Sequence, residues 1–172
     1  MDSENPTIRK ILFATDLSEN ANKAFRHAAS LAGVYGAEIT ILHVIETMPP
    51  NAELLLAATL GYKDVQELKE KSQDELIHRI RGWIEGFCAQ AADRLPACPF
   101  AMDKIIVEPG KAANRILHHA DTGGYDLLVM GSRGHGAFRE AVLGGVTHKV
   151  VSDCRIPVFL SPLSGAKPVS PR

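Results

Sequence analysis

Five short runs of this 172-residue chain are apolar almost from end to end, and none alternates cleanly between apolar and polar side chains. They are KILFAT at 10–15, AEITILHVI at 37–45, FAMDKIIVEPG at 100–110, YDLLVMGS at 125–132 and IPVFLSP at 156–162. A strand with one face in water alternates with a period of two, and a strand covered on both faces does not. Between these runs the apolar residues recur at helical spacing. Ala21, Ala24, Phe25, Ala28, Leu31 and Ala32 form one stripe, with Ser18 placed to cap its start and Gly36 to end it. Leu76, Ile80, Trp83, Ile84, Phe87, Cys88, Ala91 and Leu95 form a second, in a helix expected from about 64 to 94 and closed by Pro96. KAANRILHHADTGG (111–124) reads as a third helix. AFREAVLGGVTHKVVSDC (137–154) reads as a fourth on its spacing of Phe138, Val142, Val146 and Val150. The stretch 46–64, with two prolines and the apolar piece AELLLAATLGY, has no readable period and is taken as a connection.

The order β-α-β-α-β-α-β-α-β with doubly covered strands predicts an α/β fold: an open five-stranded parallel sheet with helices on both faces. In such sheets ligands settle beyond the carboxyl ends of the strands, where the strand order reverses. Formal net charge is −1, so no basic surplus points to nucleic acid or an anionic membrane as a partner. No apolar run approaches the roughly 18 residues of a membrane span. MDSENPTIRK lacks the basic start and apolar middle of a secretory leader. Cys88, Cys98 and Cys154 form no CxxC pair and read as thiols in a reducing cytoplasm. The organisation expected is an N-terminal extension over 1–7, one domain over 8–161, and a disordered tail over 162–172 that is rich in Pro, Ser and Gly.

The chemistry concentrates in GSRGHGAFREAVLGG, residues 131–145. It is not a Walker A loop. The chain's Gly-Lys pair is Gly110–Lys111, with Ile105 where the first glycine belongs and Ala112 where the magnesium-binding hydroxyl belongs. It is not a dinucleotide fingerprint either, because Arg139 stands in the third glycine's place and the loop follows the fourth strand. What remains is Gly131-x-x-Gly134, nine residues, then Gly144-Gly145-Val146-Thr147. A Gly-Gly pair inside a helix costs about 1–2 kcal/mol relative to alanine. The helix is therefore expected to begin near 145, with 132–143 a loop closing over a ligand. Backbone N–H groups at such a helix start, with Ser132 and Arg133, suit an anion. Read from spacing alone, a plain bend with Arg133 in solvent stands beside that reading.

No catalytic constellation accompanies the loop: no GxSxG, no HExxH, no cysteine–histidine signature. Any hydrolysis of a bound ligand is expected to be slow at most. His118 and His119 are adjacent on a helix and do not share a face, so they make a poor metal pair. His43 is assigned to the core or a sheet edge. Asp16 and Ser18 both suit a helix entry.

Together the glycine pattern, ILFATDLS (11–18), ILHVIE (41–46), DLLVMGSRG (126–134) and IPVFLS (156–161) resemble the universal stress protein family, over about residues 8–161. The resemblance implies strand order 3-2-1-4-5, the adenine nucleotide α-hydrolase-like arrangement. It also implies, for the family's ATP-binding type, a regulatory adenine nucleotide: ATP, AMP or ADP, with or without Mg2+, and no metal held by protein side chains. Asp16 would meet the nucleoside and Val44 the adenine, with Ala14 and Thr15 also at the nucleotide. Met130, Gly131, Arg133, Gly134 and Gly144 would meet ribose and phosphates, followed by Gly145, Val146 and Thr147. Gly145 departs from the pattern, which has Ser or Thr there; the hydroxyl is lost and the backbone N–H is kept. The resemblance further implies a homodimer through the last strand, Pro157 to Ser161. The alternatives are a nucleotide-free dimeric interaction module, which Gly145 favours, and a weak ATP-hydrolysing enzyme of the same fold group.

Overall fold

A computed structural model describes residues 7–91, 104–133 and 143–162 of the chain. The elements are β1 (Lys10–Thr15), α1 (Glu19–Tyr35), β2 (Glu38–Glu46), α2 (Pro50–Thr59), α3 (Val65–Ala91), β3 (Ile105–Gly110), α4 (Ala112–Thr122), β4 (Leu127–Gly131), α5 (Gly145–Asp153) and β5 (Val158–Ser161). The strands form one parallel sheet in the order β3-β2-β1-β4-β5.

The pleat explains why the strands lack polar alternation. Ile11 and Phe13 of β1, Ile39 and Ile41 of β2 and Val129 of β4 point to one face, under Ala24, Phe25 and Ala28 of α1 and Ile80 and Ile84 of α3. Leu12 and Ala14, Leu42, Leu128 and Met130 point to the other, under Ile116 and Ala120 of α4 and Val150 of α5. Both faces are dry, as parallel sheets require. Phe13, Phe25 and Trp83 form an aromatic centre on the α1–α3 face, with Phe25 and Trp83 centroids 4.6 Å apart.

The local signals hold where chemistry specifies them. Ser18 is the N-cap of α1, and its side chain accepts a hydrogen bond from the Ala21 N–H. Gly36 ends α1 in the left-handed conformation, φ 64°. Leu76, Ile80, Trp83 and Ile84 of the expected α3 stripe pack into the core. Phe87, Cys88, Ala91 and Leu95 of that stripe lie outside the described side chains. α5 begins at Gly145, as the glycine pair demands, and not at 137.

One expectation is corrected. Among the described residues there are five helices where four were expected, because 50–59 is helical. α2 opens with Pro50 in its first turn, a position proline tolerates. Its side chains are apolar almost all round, so no period marks it as a helix. Ala57 faces the body of the protein, Lys69 of α3 pairs with Glu53, and Leu54 and Leu55 remain exposed. Among the described residues no helix is long and apolar enough to cross a membrane. Residues 1–6 of the expected extension (1–7), residues 163–172 of the expected tail (162–172), Cys98, His135 and most of the glycine loop (134–142) lie outside the described residues.

Candidate functional site

The chain builds the sheet outward from β1 through β2 to β3, returns to the other side of β1, and continues through β4 to β5. The order therefore reverses between β1 and β4, and their carboxyl ends open a crevice. A cavity of about 500 Å3 lies there, within the usual range for a small-molecule site. Its walls come from β1 (Ala14, Thr15, then Asp16), β2 (Leu42 to Glu46), β4 (Met130, Gly131, then Arg133), α4 (Ala112, Ile116), α5 (Gly145 to Thr147, preceded by Gly144) and Ala21 of α1.

Of the residues singled out in the sequence, Ala14, Thr15, Asp16, Val44, Met130, Gly131, Arg133, Gly144, Gly145, Val146 and Thr147 line this one cavity. Gly134 lies outside the described residues. Leu42, His43, Ile45, Glu46, Ala21, Ala112 and Ile116 also line it and were not singled out for the site. Two signals were available for them. The carboxyl end of β2 extends past Val44, and α4 starts directly beyond the carboxyl end of β3, where the same topological rule places ligands. The sequence alone places His43 in the core or at a sheet edge. It is half-buried on an interior strand, at the cavity wall.

The α5 side of the cavity is donor-rich. Gly144 is the N-cap of α5 in an extended conformation (φ −69°, ψ 155°), and no side chain caps the helix. The first N–H groups of a helix have no partner within it and carry the positive end of its dipole. Here they belong to residues lining the cavity. This helix start is pinned. The Gly144 N–H donates to the Ser132 carbonyl at 3.1 Å, the Ser132 N–H donates to the Ser161 carbonyl at 2.8 Å, and the buried Thr147 hydroxyl donates to the Gly131 carbonyl at 3.2 Å. Arg133 adds a guanidinium to the lining. At Gly131 a β-carbon would come within 3.3 Å of the Arg133 carbonyl oxygen, so the turn after β4 is close-built.

The β1 side is acceptor-rich and braced. Thr15 Oγ1 accepts the Leu17 N–H at 3.0 Å, Asp16 Oδ1 accepts the Ser18 N–H at 3.1 Å, and His43 Nδ1 donates to the Thr15 carbonyl at 2.9 Å. Leu17 takes a positive φ of 62°, which is uncommon for a residue with a β-carbon.

On the α4 side, Ala112 opens a helix with no side-chain cap. Glu108 of β3 seats that helix. Its carboxylate accepts Arg115 through Nε at 2.8 Å and through a second guanidinium nitrogen, and it pairs with His119 Nε2 at 2.8 Å. The Arg115 hydrogen bond holds the Glu108 carboxyl below its ordinary range; burial opposes that shift and His119 adds to it. At Gly110, φ 150°, a β-carbon would sit 2.8 Å from Arg115 Cγ, so glycine is what lets the β3–α4 corner close on this clamp.

The sequence profile of the Universal stress protein family matches residues 7–162. Universal stress protein MJ0577 of Methanocaldococcus jannaschii is 28% identical over 88% of this chain and 93% of its own length. The solved MJ0577 structure superposes with a TM-score of 0.66 at 25% identity, covering 93% of this chain and 99% of that one. Universal stress protein YxiE of Bacillus subtilis is 31% identical over 88% of this chain and 97% of its own length. A universal stress protein solved in complex with cAMP shares the fold, with a TM-score of 0.51 at 20% identity, covering 91% of this chain and 98% of that one. With its five-stranded parallel sheet, its reversal between β1 and β4 and a profile match across nearly its whole length, this chain belongs to the Universal stress protein family.

Proposed function

We propose that the protein binds an adenine nucleotide, ATP in the first instance, as a regulatory ligand in the crevice between β1 and β4. The observation that carries this reading is the start of α5. Its first N–H groups, which among the described residues no side chain caps, line a cavity of nucleotide size beside an arginine. Phosphates belong on Gly131, Arg133 and Gly144 to Thr147, the ribose beside Thr15 and Asp16, and the base against Val44. Gly134 is assigned to the phosphate end with them. The apolar Leu42 and Ile116 and the small Ala112 suit a flat base. Mg2+ would accompany the phosphates and not a protein ligand set. That a relative of the same fold has been solved with cAMP supports the class of ligand.

The reading extends to assembly. Among the described residues β5 is an edge strand paired only with β4, and an open edge is a template for a second copy. We assign the homodimer contact to Pro157–Ser161, and the cytoplasm as the compartment. Occupancy would then change a surface seen by a partner, with hydrolysis slow or absent. One observation favours a second reading, a nucleotide-free interaction module: Gly145 offers no hydroxyl where the family's nucleotide-binding pattern has one.

Calorimetric titration with ATP, with and without Mg2+, separates the two, after denaturing the purified protein and chromatographing the supernatant for released nucleotide. Saturable binding with competition by ADP and AMP is expected. No released nucleotide and no heat up to millimolar ATP would overturn the first reading and leave the second. A cAMP titration run alongside shows whether a single cyclic phosphate suffices.

A further inference from the structure

We infer that His43 is a positioning residue that aims Asp16 into the ligand cavity through the Thr15 carbonyl. The inference rests on the proposed nucleotide site and names a residue that acts within it. Thr15 and His43 are the last register pair of the β1–β2 ladder; beyond them β1 leaves the sheet while β2 runs on beside β3. At that point the His43 side chain reaches across to the departing strand, Nδ1 to Thr15 O, 2.9 Å. A carbonyl only accepts, so Nδ1 carries the proton. The bond therefore fixes the tautomer of neutral His43 as well as the position of the Thr15 peptide.

Beyond that peptide a short chain of local hydrogen bonds shapes the turn, and Leu17 packs against the core. Thr15 Oγ1 holds the Leu17 N–H, Asp16 Oδ1 holds the Ser18 N–H, and the Ser18 side chain holds the Ala21 N–H. Leu17 sits at φ 62° inside this chain. A residue with a β-carbon stays in that region only where its surroundings over-determine it. The local bonds fix the turn against itself. Leu17 rests on the core by apolar contact, and His43 supplies the directional bond to the sheet, so without His43 the Asp16 carboxylate keeps its turn and loses its aim.

A double-mutant cycle tests this. His43→Leu is expected to weaken ATP binding about tenfold, and Asp16→Ala by at least as much. The double variant is expected to lose no more than Asp16→Ala alone, because the two residues act in series. His43→Asn is expected to restore binding, since its amide nitrogen stands as many bonds from the backbone as Nδ1. His43→Gln, one bond longer, is not. A second readout needs no ligand. Amide hydrogen exchange at Leu17 and Ser18 is expected to quicken several-fold in His43→Leu and to return in His43→Asn, with exchange in the core strands unchanged. If wild-type protein binds no nucleotide, the functional reading falls and the exchange measurement still decides the role of His43. Additive losses in the cycle, or unchanged exchange at 17 and 18, would overturn the inference. Should His43→Leu not fold, the Asn and Gln pair gives the same contrast.

Discussion

Two helices enter the same crevice from neighbouring strands, and their starts are built in opposite ways. α1 follows β1 and is closed: Ser18 caps it, and Thr15 and Asp16 side chains take up the amides just before it. α5 follows β4 and is left bare: its cap is Gly144, its first residue is Gly145, and among the described residues no side chain caps its N–H groups. Both helices sit on a dry sheet face, so packing does not require the difference. Capping oxygens stabilise a helix on its own terms. A bare start leaves donors over, and a helix dipole favours an anion there. The crevice thus has an acceptor side, suited to hydroxyls and a base, and a donor side, suited to phosphate.

Capping α5 breaks the contrast most directly. Gly144 has extended dihedrals that any residue adopts, so Gly144→Asp is expected to fold. Its carboxylate would take the α5 donors for itself and repel a phosphate. ATP affinity should fall about a hundredfold, from lost charge-assisted hydrogen bonds and like-charge repulsion. Thermal stability should rise by a few tenths of a kcal/mol, as for any glycine cap replaced by aspartate. Calorimetry and a thermal melt read the two together. Unchanged affinity would mean the bare helix start is not where phosphate sits.

The opposite change sharpens the contrast. A β-carbon at Gly145 meets nothing within 4 Å, so a serine fits without repacking. Gly145→Ser supplies the hydroxyl that the family pattern carries and is expected to tighten ATP binding about tenfold. If affinity stays the same or falls, the missing hydroxyl is not what distinguishes this protein.

What was legible in the sequence divides along the same line. A strand covered on both faces announces itself by unbroken apolar character, and the helix starts announce themselves by Ser18 on one side and Gly144–Gly145 on the other. The carboxyl-end rule then brings Asp16, Val44, Gly131 and Thr147 to one place. α2 was illegible because a helix apolar nearly all round carries no period, and Pro49–Pro50 reads equally well as a bend. His43 was illegible for another reason. Its partner is the Thr15 carbonyl, and only the parallel register pairs 15 with 43. No spacing along the chain encodes that. Ala112 and Ile116 reach the cavity the same way, through the pairing of β3 with β2, which brings Gly110 beside Glu46.

On the closed side, Ser18→Ala removes a cap and leaves the backbone donor to Asp16 intact. It is expected to cost about 1 kcal/mol of stability, with ATP affinity held within about twofold. A chemical denaturation curve reads the first and calorimetry the second. A large loss of affinity would show that the α1 start contacts ligand, erasing the distinction between the two helices.

The α4 start is the intermediate case and gives the smallest effect. It too lacks a side-chain cap and lines the cavity at Ala112, but a charged clamp behind it sets its position: Glu108 against Arg115 and His119. The Arg115 hydrogen bond leads in holding the folded Glu108 carboxyl below its ordinary value of 4.5, against the opposing effect of burial. A depressed carboxyl stabilises the folded state above its unfolded pKa, and that contribution disappears as pH falls through the folded value. The stability difference between wild type and Glu108→Gln should therefore be constant from neutral pH down to about 4.5, no more than about 1 kcal/mol for a part-exposed pair. Below that it should shrink to nothing as wild-type Glu108 takes up its proton. Denaturation at a series of pH values reads the difference, and amide exchange localises it. Protection lost over α4, with α1 and α5 unaffected, would mean that charge holds this helix start in place where capping and close backbone contacts hold the other two. A difference that persists unchanged to pH 3 would mean the carboxylate is not what seats α4.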